Sequence, residues 1–171
     1  DLSLTVRQIL FFIIPSTVIL LALRAQITRV VLGTGQFDWQ DTLLTINTLS
    51  FFAISLFAQS LVPLLIRVFY ARHDSKTPFL IGLATALINI FLSIKFSASL
   101  GVAGLALAFS ISNVINLILL WAWLNVEIGK IDELKIFIST IKFSLAALAC
   151  GLAVQGVKLF IGSKIDLDRF W

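Results

Sequence analysis

Charge is scarce in this chain. Of 171 residues, 13% are Asp, Glu, Lys or Arg, while 59% are apolar. A soluble domain carries about 25% charged and about 45–50% apolar residues. A soluble helical protein of this length has too much surface to cover with so few charges. The mean hydropathy of +1.04 agrees, and the composition reads as an integral membrane protein. Histidine and cysteine occur once each, as His73 and Cys150. A metal cluster or a histidine relay needs a second such residue, and a disulfide needs a second cysteine. Cys150 lies inside an apolar run and is expected to pack as a small residue. Methionine is absent and the sequence opens at Asp1, so we expect a piece of a longer chain. The first apolar run is too long for a cleavable leader and lacks a small-residue cleavage site.

The net charge of +4 does not point to nucleic acid. The basic residues stand singly at the ends of apolar runs and form no stripe; membrane helices carry such flanks. No alternating strand pattern and no glycine-rich phosphate loop is present. His73 and Asp74 are neighbours in one polar segment, and neighbouring side chains rarely point the same way. Glu127, Asp132 and Glu133 are interleaved with Lys130 and Lys135, which reads as a solvated loop and not as paired catalytic carboxylates. We therefore expect no catalytic residue, no metal and no cofactor.

What is present is a series of long apolar runs. Five spans are expected, over 9–32, 43–68, 78–96, 102–126 and 136–161. Each reaches or closely approaches the roughly 20 residues that cross about 30 Å of hydrocarbon. Asp1–Gln8 reads as an interfacial lead-in and Ser97–Gly101 as a brief turn. Pro15 falls within the first span, where neighbouring helices can satisfy the freed carbonyl. Gly33 to Thr42 is a loop with Trp39 as an interfacial anchor, and Ser163–Trp171 is polar again. Several residues are polar within or near the spans: Arg24, Arg29, Asn47, Gln59, Arg67, Asn89, Asn113, Asn116, Gln155 and Lys158. Such residues mark substrate routes or bond helix to helix. We take Arg24, Arg29, Asn47, Gln59, Asn89 and Asn116 as substrate-path candidates. Ser55, Gln59, Pro63 and Arg67 recur every four residues on one helical face. Gly104, Ala108, Ser112 and Asn116 do the same and form a small ridge suited to close helix packing.

The segment from Phe69 to Pro78 is the most densely charged stretch between two spans. It reads as a polar loop in which Thr77 caps the next helix and Pro78 occupies its first position. Of the thirteen Lys and Arg residues, seven fall on the side holding this loop: Arg7, Arg67, Arg72, Lys76, Lys130, Lys135 and Lys142. The positive-inside rule leans towards a cytoplasmic loop.

Phe69-Tyr70-Ala71, then Asp74-Ser75-Lys76-Thr77-Pro78 after two residues, closely resembles the signature of the MurJ/MviN family of lipid II flippases. Ser75 stands where Thr is more usual. Pro15, Arg29 to Phe37, Asp41-Thr42, Ile88-Asn89-Ile90, Gly101 to Ala108, Ser110, Ser112 and Asn116 add matches in order. The resemblance runs over residues 1–126, and the last span joins it only by position. It implies an all-α polytopic bundle, part of a fourteen-helix, two-lobe transporter of the polysaccharide and drug exporter superfamily. The chain would be helices nine to thirteen, partnered by the missing N-terminal helices, which carry the cationic cavity. The implied substrate is lipid II, an undecaprenyl-linked oligosaccharide, flipped across the bacterial cytoplasmic membrane by alternating access, with membrane lipids as surroundings. Tyr70, Arg72, Asp74, Lys76, Thr77 and Pro78 would then form a gating loop. Alternatives are an exporter of another lipid-linked polysaccharide, a non-transporting membrane module, or an enzyme acting on a polyprenyl phosphate. An enzyme would need clustered acidic or histidine ligands.

Overall fold

The computed structural model describes residues 2–32, 39–128 and 133–164. Five helices follow one another: α1 (Leu2–Leu32), α2 (Trp39–Ala71), α3 (Lys76–Leu100), α4 (Val102–Ile128) and α5 (Glu133–Lys164). Among the described residues there is no strand. All five helices are long and apolar enough to cross a membrane. In lipid every backbone polar group must be satisfied within the segment, and the helix does this. Pro15 and Pro63 are both accommodated inside helices.

The helices extend past the apolar runs. Residues 2–8, expected as an interfacial lead-in, form the first turns of α1, and Val6 there is only 1% exposed. Likewise 97–100 belong to α3, because Ser97, Ala98, Ser99 and Leu100 carry nothing that ends a helix. The reversal into α4 falls on Gly101 alone. Its φ of 59° and ψ of −133° lie where a Cβ is poorly tolerated. The Gly101 N–H donates to Ser97 O at 3.0 Å and its carbonyl accepts from Gly104 N–H at 3.1 Å.

In space the order is α3, α4, α2, α1, α5, each packing on the next. The main apolar core gathers at the end of the bundle that holds the α2–α3 loop. Val6 and Leu10 of α1, Leu61, Leu65 and Phe69 of α2, Leu120 and Leu124 of α4, and Ile136 of α5 meet there. Towards the opposite end the buried side chains become small: Ala53, Ala103, Ala106, Ala108 and Ala147. The expected small ridge of α4 faces protein. Gly104 and Ala108 are buried and Ser112 is 5% exposed. A Cβ on Gly104 would lie 2.3 Å from the Phe96 carbonyl oxygen, so only glycine permits this approach of α4 to α3. On α5, Ala147 and Gly151 face inwards, with Gly151 against Val18 of α1. Cys150 is exposed instead of packed, because its neighbour Gly151 takes the inward position. The loop before Trp39, the Trp39 side chain, residues 129–132, the Lys158 side chain and the polar tail after Lys164 lie outside the described residues.

Candidate functional site

The α2–α3 loop is built by backbone rules. At the end of α2, Arg72 N–H donates to Phe69 O at 3.0 Å, His73 N–H to Tyr70 O at 3.0 Å, and Asp74 N–H to Phe69 O at 3.1 Å. The last two are the paired bonds of a Schellman stop, with His73 in the left-handed position at φ 61°. Asp74 then turns to the next helix. Its Oδ1 accepts from Lys76 N–H at 3.0 Å and from Thr77 N–H at 3.1 Å. The cap is therefore Asp74, not Thr77 as expected, and Ser75 makes no side-chain capping bond. Pro78 is buried in the third helical position, not the first. The carboxylate reaches both amides because helix α3 begins two residues earlier than the Thr-Pro pair suggests. Hydrogen bonds from the Thr77 hydroxyl and backbone, then from the Lys76 amide together with the Lys76 charge, hold the Asp74 carboxyl below the usual carboxylate range.

The remaining loop residues divide in two. Tyr70 and Lys76 are exposed, and Thr77 is half-buried. Arg72 reaches the last turn of α4, where its guanidinium lies 3.5 Å from the Glu127 carboxylate. That pair ties the loop to α4. It was not legible in the sequence, where Glu127 reads as part of a solvated loop.

The intramembrane candidates occupy three successive seams and do not form one cluster. On the α1–α2 seam the Arg24 guanidinium hydrogen-bonds the Ser50 hydroxyl. No acidic side chain pairs with it among the described residues. Arg24 is thus a cation held by a neutral partner, and the Ser50 hydroxyl in turn donates to Ile46 O at 2.6 Å. On the α2–α4 seam, Gln59 Nε2 donates to Ser55 Oγ at 2.7 Å. Ser110 of α4 donates to Phe51 O at 2.7 Å, with its Oγ 3.1 Å from Ser55 Oγ. Ser55 is fully buried, so this is a dry link between helices, and Gln59 serves it. Pro63 and Arg67, further along the same expected stripe, are exposed.

On the α3–α4 seam a cavity of about 130 Å³ is lined by Gly82, Thr85, Asn89, Ser112, Asn113 and Asn116, among others. Asn89 accepts from the Ser93 hydroxyl at 3.2 Å and Asn113 donates to Phe109 O at 2.9 Å. The Asn116 Oδ1 atom is buried with no hydrogen-bond partner. An unsatisfied buried carbonyl of this kind costs roughly 1–3 kcal/mol unless something donates to it. The structure therefore brings Asn89 and Asn116 together, as the ridge spacing on α4 allowed. Asn47 is exposed on α2 and joins none of these bonds. The Arg29 side chain lies outside the described residues. Sequence reasoning missed Ser50 and Ser110 as partners, since single serines in apolar runs carry no pairing signal.

The family model described as "Lipid II flippase MurJ" matches residues 1–166. A probable lipid II flippase MurJ of Thermotoga maritima is 32% identical over 149 residues, covering 87% of this chain and 30% of that protein. The lipid II flippase MurJ of Thermosipho africanus is 35% identical over 114 residues, 67% of this chain and 24% of that protein. A solved structure of lipid II flippase MurJ in an inward closed conformation superposes with a TM-score of 0.77. It is 30% identical, with 89% of this chain and 31% of that one covered. The chain thus spans under a third of the length of these relatives. With five helices able to cross a membrane and a match over nearly its whole length, this chain belongs to the lipid II flippase MurJ family of multi-pass bacterial inner-membrane proteins.

Proposed function

We propose that the chain is one part of a transporter that moves undecaprenyl-linked peptidoglycan precursor across the cytoplasmic membrane by alternating access, for cell-wall synthesis. The observation that carries this reading is the family match over residues 1–166. The work is a shift between two conformational populations, with no bond made or broken, so we assign no catalytic residue and no cofactor. The longer protein's other helices supply the remaining walls of the cavity.

Within this reading the polar seams have separate duties. Arg24, Asn89 and Asn116 stand on the substrate path, for which Arg29 and Asn47 remain candidates. Support comes from the neutral-partnered guanidinium of Arg24 and the unbonded carbonyl of Asn116. Each can take up a polar group of a passing head without first breaking an ion pair. Gln59 braces Ser55 within α2, and Ser110 of α4 bonds across to Phe51 and Ser55. The loop from Tyr70 to Pro78 carries motion between helices as one stiff unit, because Asp74, His73 and Arg72 fix it at both ends. Lipid II is the partner, and membrane lipids cover the exposed apolar faces.

The test is complementation. A full-length protein containing these residues is expected to restore growth and cell shape to bacteria depleted of their own lipid II flippase. Expression at the membrane without rescue, with lipid II still confined to the inner leaflet, would overturn the proposal.

A further inference from the structure

We infer that the α1–α5 seam, at the end of the bundle holding the α2–α3 loop, is a binding site for a single anionic phospholipid, its phosphodiester on Arg7 and an acyl chain along Phe11, Phe12 and Phe143. The groove there encloses about 210 Å³ and is lined by Leu4, Arg7, Gln8, Phe11, Phe12 and Phe143. Its floor is aromatic. Phe11 stands edge-on to Phe12 at 5.3 Å and to Phe143 of α5 at 5.4 Å. Leu4, Phe11 and Phe12 all keep more than half their surface open. That is an apolar wall shaped for a hydrocarbon chain, and no described residue closes it.

Arg7 supplies the other half. Its Nε is buried and has no hydrogen-bond partner, and it makes no ion pair among the described residues. A guanidinium offers five donors in a fixed fork, which suits the paired oxygens of a phosphate. Arg7 as a whole is only half-buried, so an anionic acceptor can meet the guanidinium from the groove and answer its charge. The depth fits. Arg7 stands between Val6 and Leu10, which pack with Phe69 and Leu124 at the loop end of the bundle, the side on which headgroups sit above a hydrocarbon layer of about 30 Å. Arg24 lies about 26 Å further along the same helix, towards the opposite leaflet and away from this groove. One cation matches the single charge of a phosphodiester. A polyprenyl diphosphate carries more charge and would find no second cation among the described groove residues.

This site does not depend on transport. The test uses the full-length protein purified in detergent, offered phosphatidylglycerol and phosphatidylcholine together, with retained lipids counted by native mass spectrometry. Wild type is expected to retain phosphatidylglycerol preferentially. Arg7→Gln is expected to lower that preference about fivefold, the worth of one basic residue against an anionic headgroup. Arg7→Lys is expected to keep most of it. Arg67→Gln, which removes an exposed cation on α2, is expected to change nothing. Phe143→Ala leaves the charge and removes the groove wall, so it reads the site independently should Arg7→Gln fold poorly; it is expected to shorten lipid retention. Wild-type preference in Arg7→Gln or unchanged retention in Phe143→Ala overturns the inference. So does an equal loss in Arg67→Gln, which would be a general charge effect. Displacement of phosphatidylglycerol by undecaprenyl phosphate at matched concentration, lost with Arg7→Gln, also overturns it by assigning the groove to the substrate lipid.

Discussion

His73 and Asp74 show how two adjacent side chains hold one loop in different ways. The His73 side chain makes no hydrogen bond or ion pair among the described residues; its backbone occupies a left-handed position that glycine occupies without strain. His73→Gly is expected to keep or slightly raise thermal stability. His73→Val is expected to lower it by about 1–2 kcal/mol, since a β-branched residue resists positive φ. A melt in which the two variants behave alike would refute this. Asp74 is the opposite case, because its carboxylate caps α3. Its folded pKa is depressed, so its contribution is fully present above the ordinary carboxylate value and is lost as pH falls through the folded value. Melting temperatures taken downwards from neutral pH should show an acid slope that Asp74→Asn flattens. In complementation, charge reversal at Asp74 or Lys76 is expected to impair function more than substitution of His73. Equal tolerance at the three positions would sink that ranking.

At the level of elements, the seams between α2, α3 and α4 depend on small groups. Gly104→Ala would place a methyl against the Phe96 carbonyl, and helix backbone cannot move aside as a flexible side chain can. We expect a loss of roughly 1–3 kcal/mol, as for overpacked cores, with Gly82→Ala harmless because nothing lies near its Cβ position. The Ser110 bridge to α2 is open to a double-mutant cycle with Ser55. Coupling of about 0.6 kcal/mol is the average for hydrogen bonds between membrane helices, and none at all would show that the hydroxyls merely coexist. This is also the scale at which the sequence was most informative. Runs of apolar residues marked all five helices, and the four-residue spacing of Gly104, Ala108 and Ser112 marked a packing face. Helix ends were harder to read. Ser97 to Leu100 neither favour nor forbid a helix, and the capping role passed from Thr77 to Asp74 once α3 began at Lys76. Contacts such as Ser110 with Phe51, or Arg72 with Glu127, join residues more than fifty positions apart. They depend on which helix lies beside which, and no local pattern encodes that order.

For the whole molecule, the distribution of side-chain size along the bundle carries a consequence for how it tolerates change. Phe69, Leu65, Leu120 and Leu124 fill the loop end, whereas alanines and Gly104 and Gly151 fill the other half. Truncation at the loop end leaves a void, as Phe69→Ala or Leu65→Ala would, at about 2–5 kcal/mol. Enlargement there has little room to matter beyond the usual strain. In the other half the signs reverse. Truncating alanine removes almost nothing, while Ala53→Leu or Gly151→Leu must push two helices apart. A scan of stability against residue volume should therefore yield opposite slopes for the two halves, and a single slope throughout would contradict it. Sequence drift in this protein would then be steered by position along the membrane normal: one leaflet's worth of core resists becoming smaller, and the other resists becoming larger.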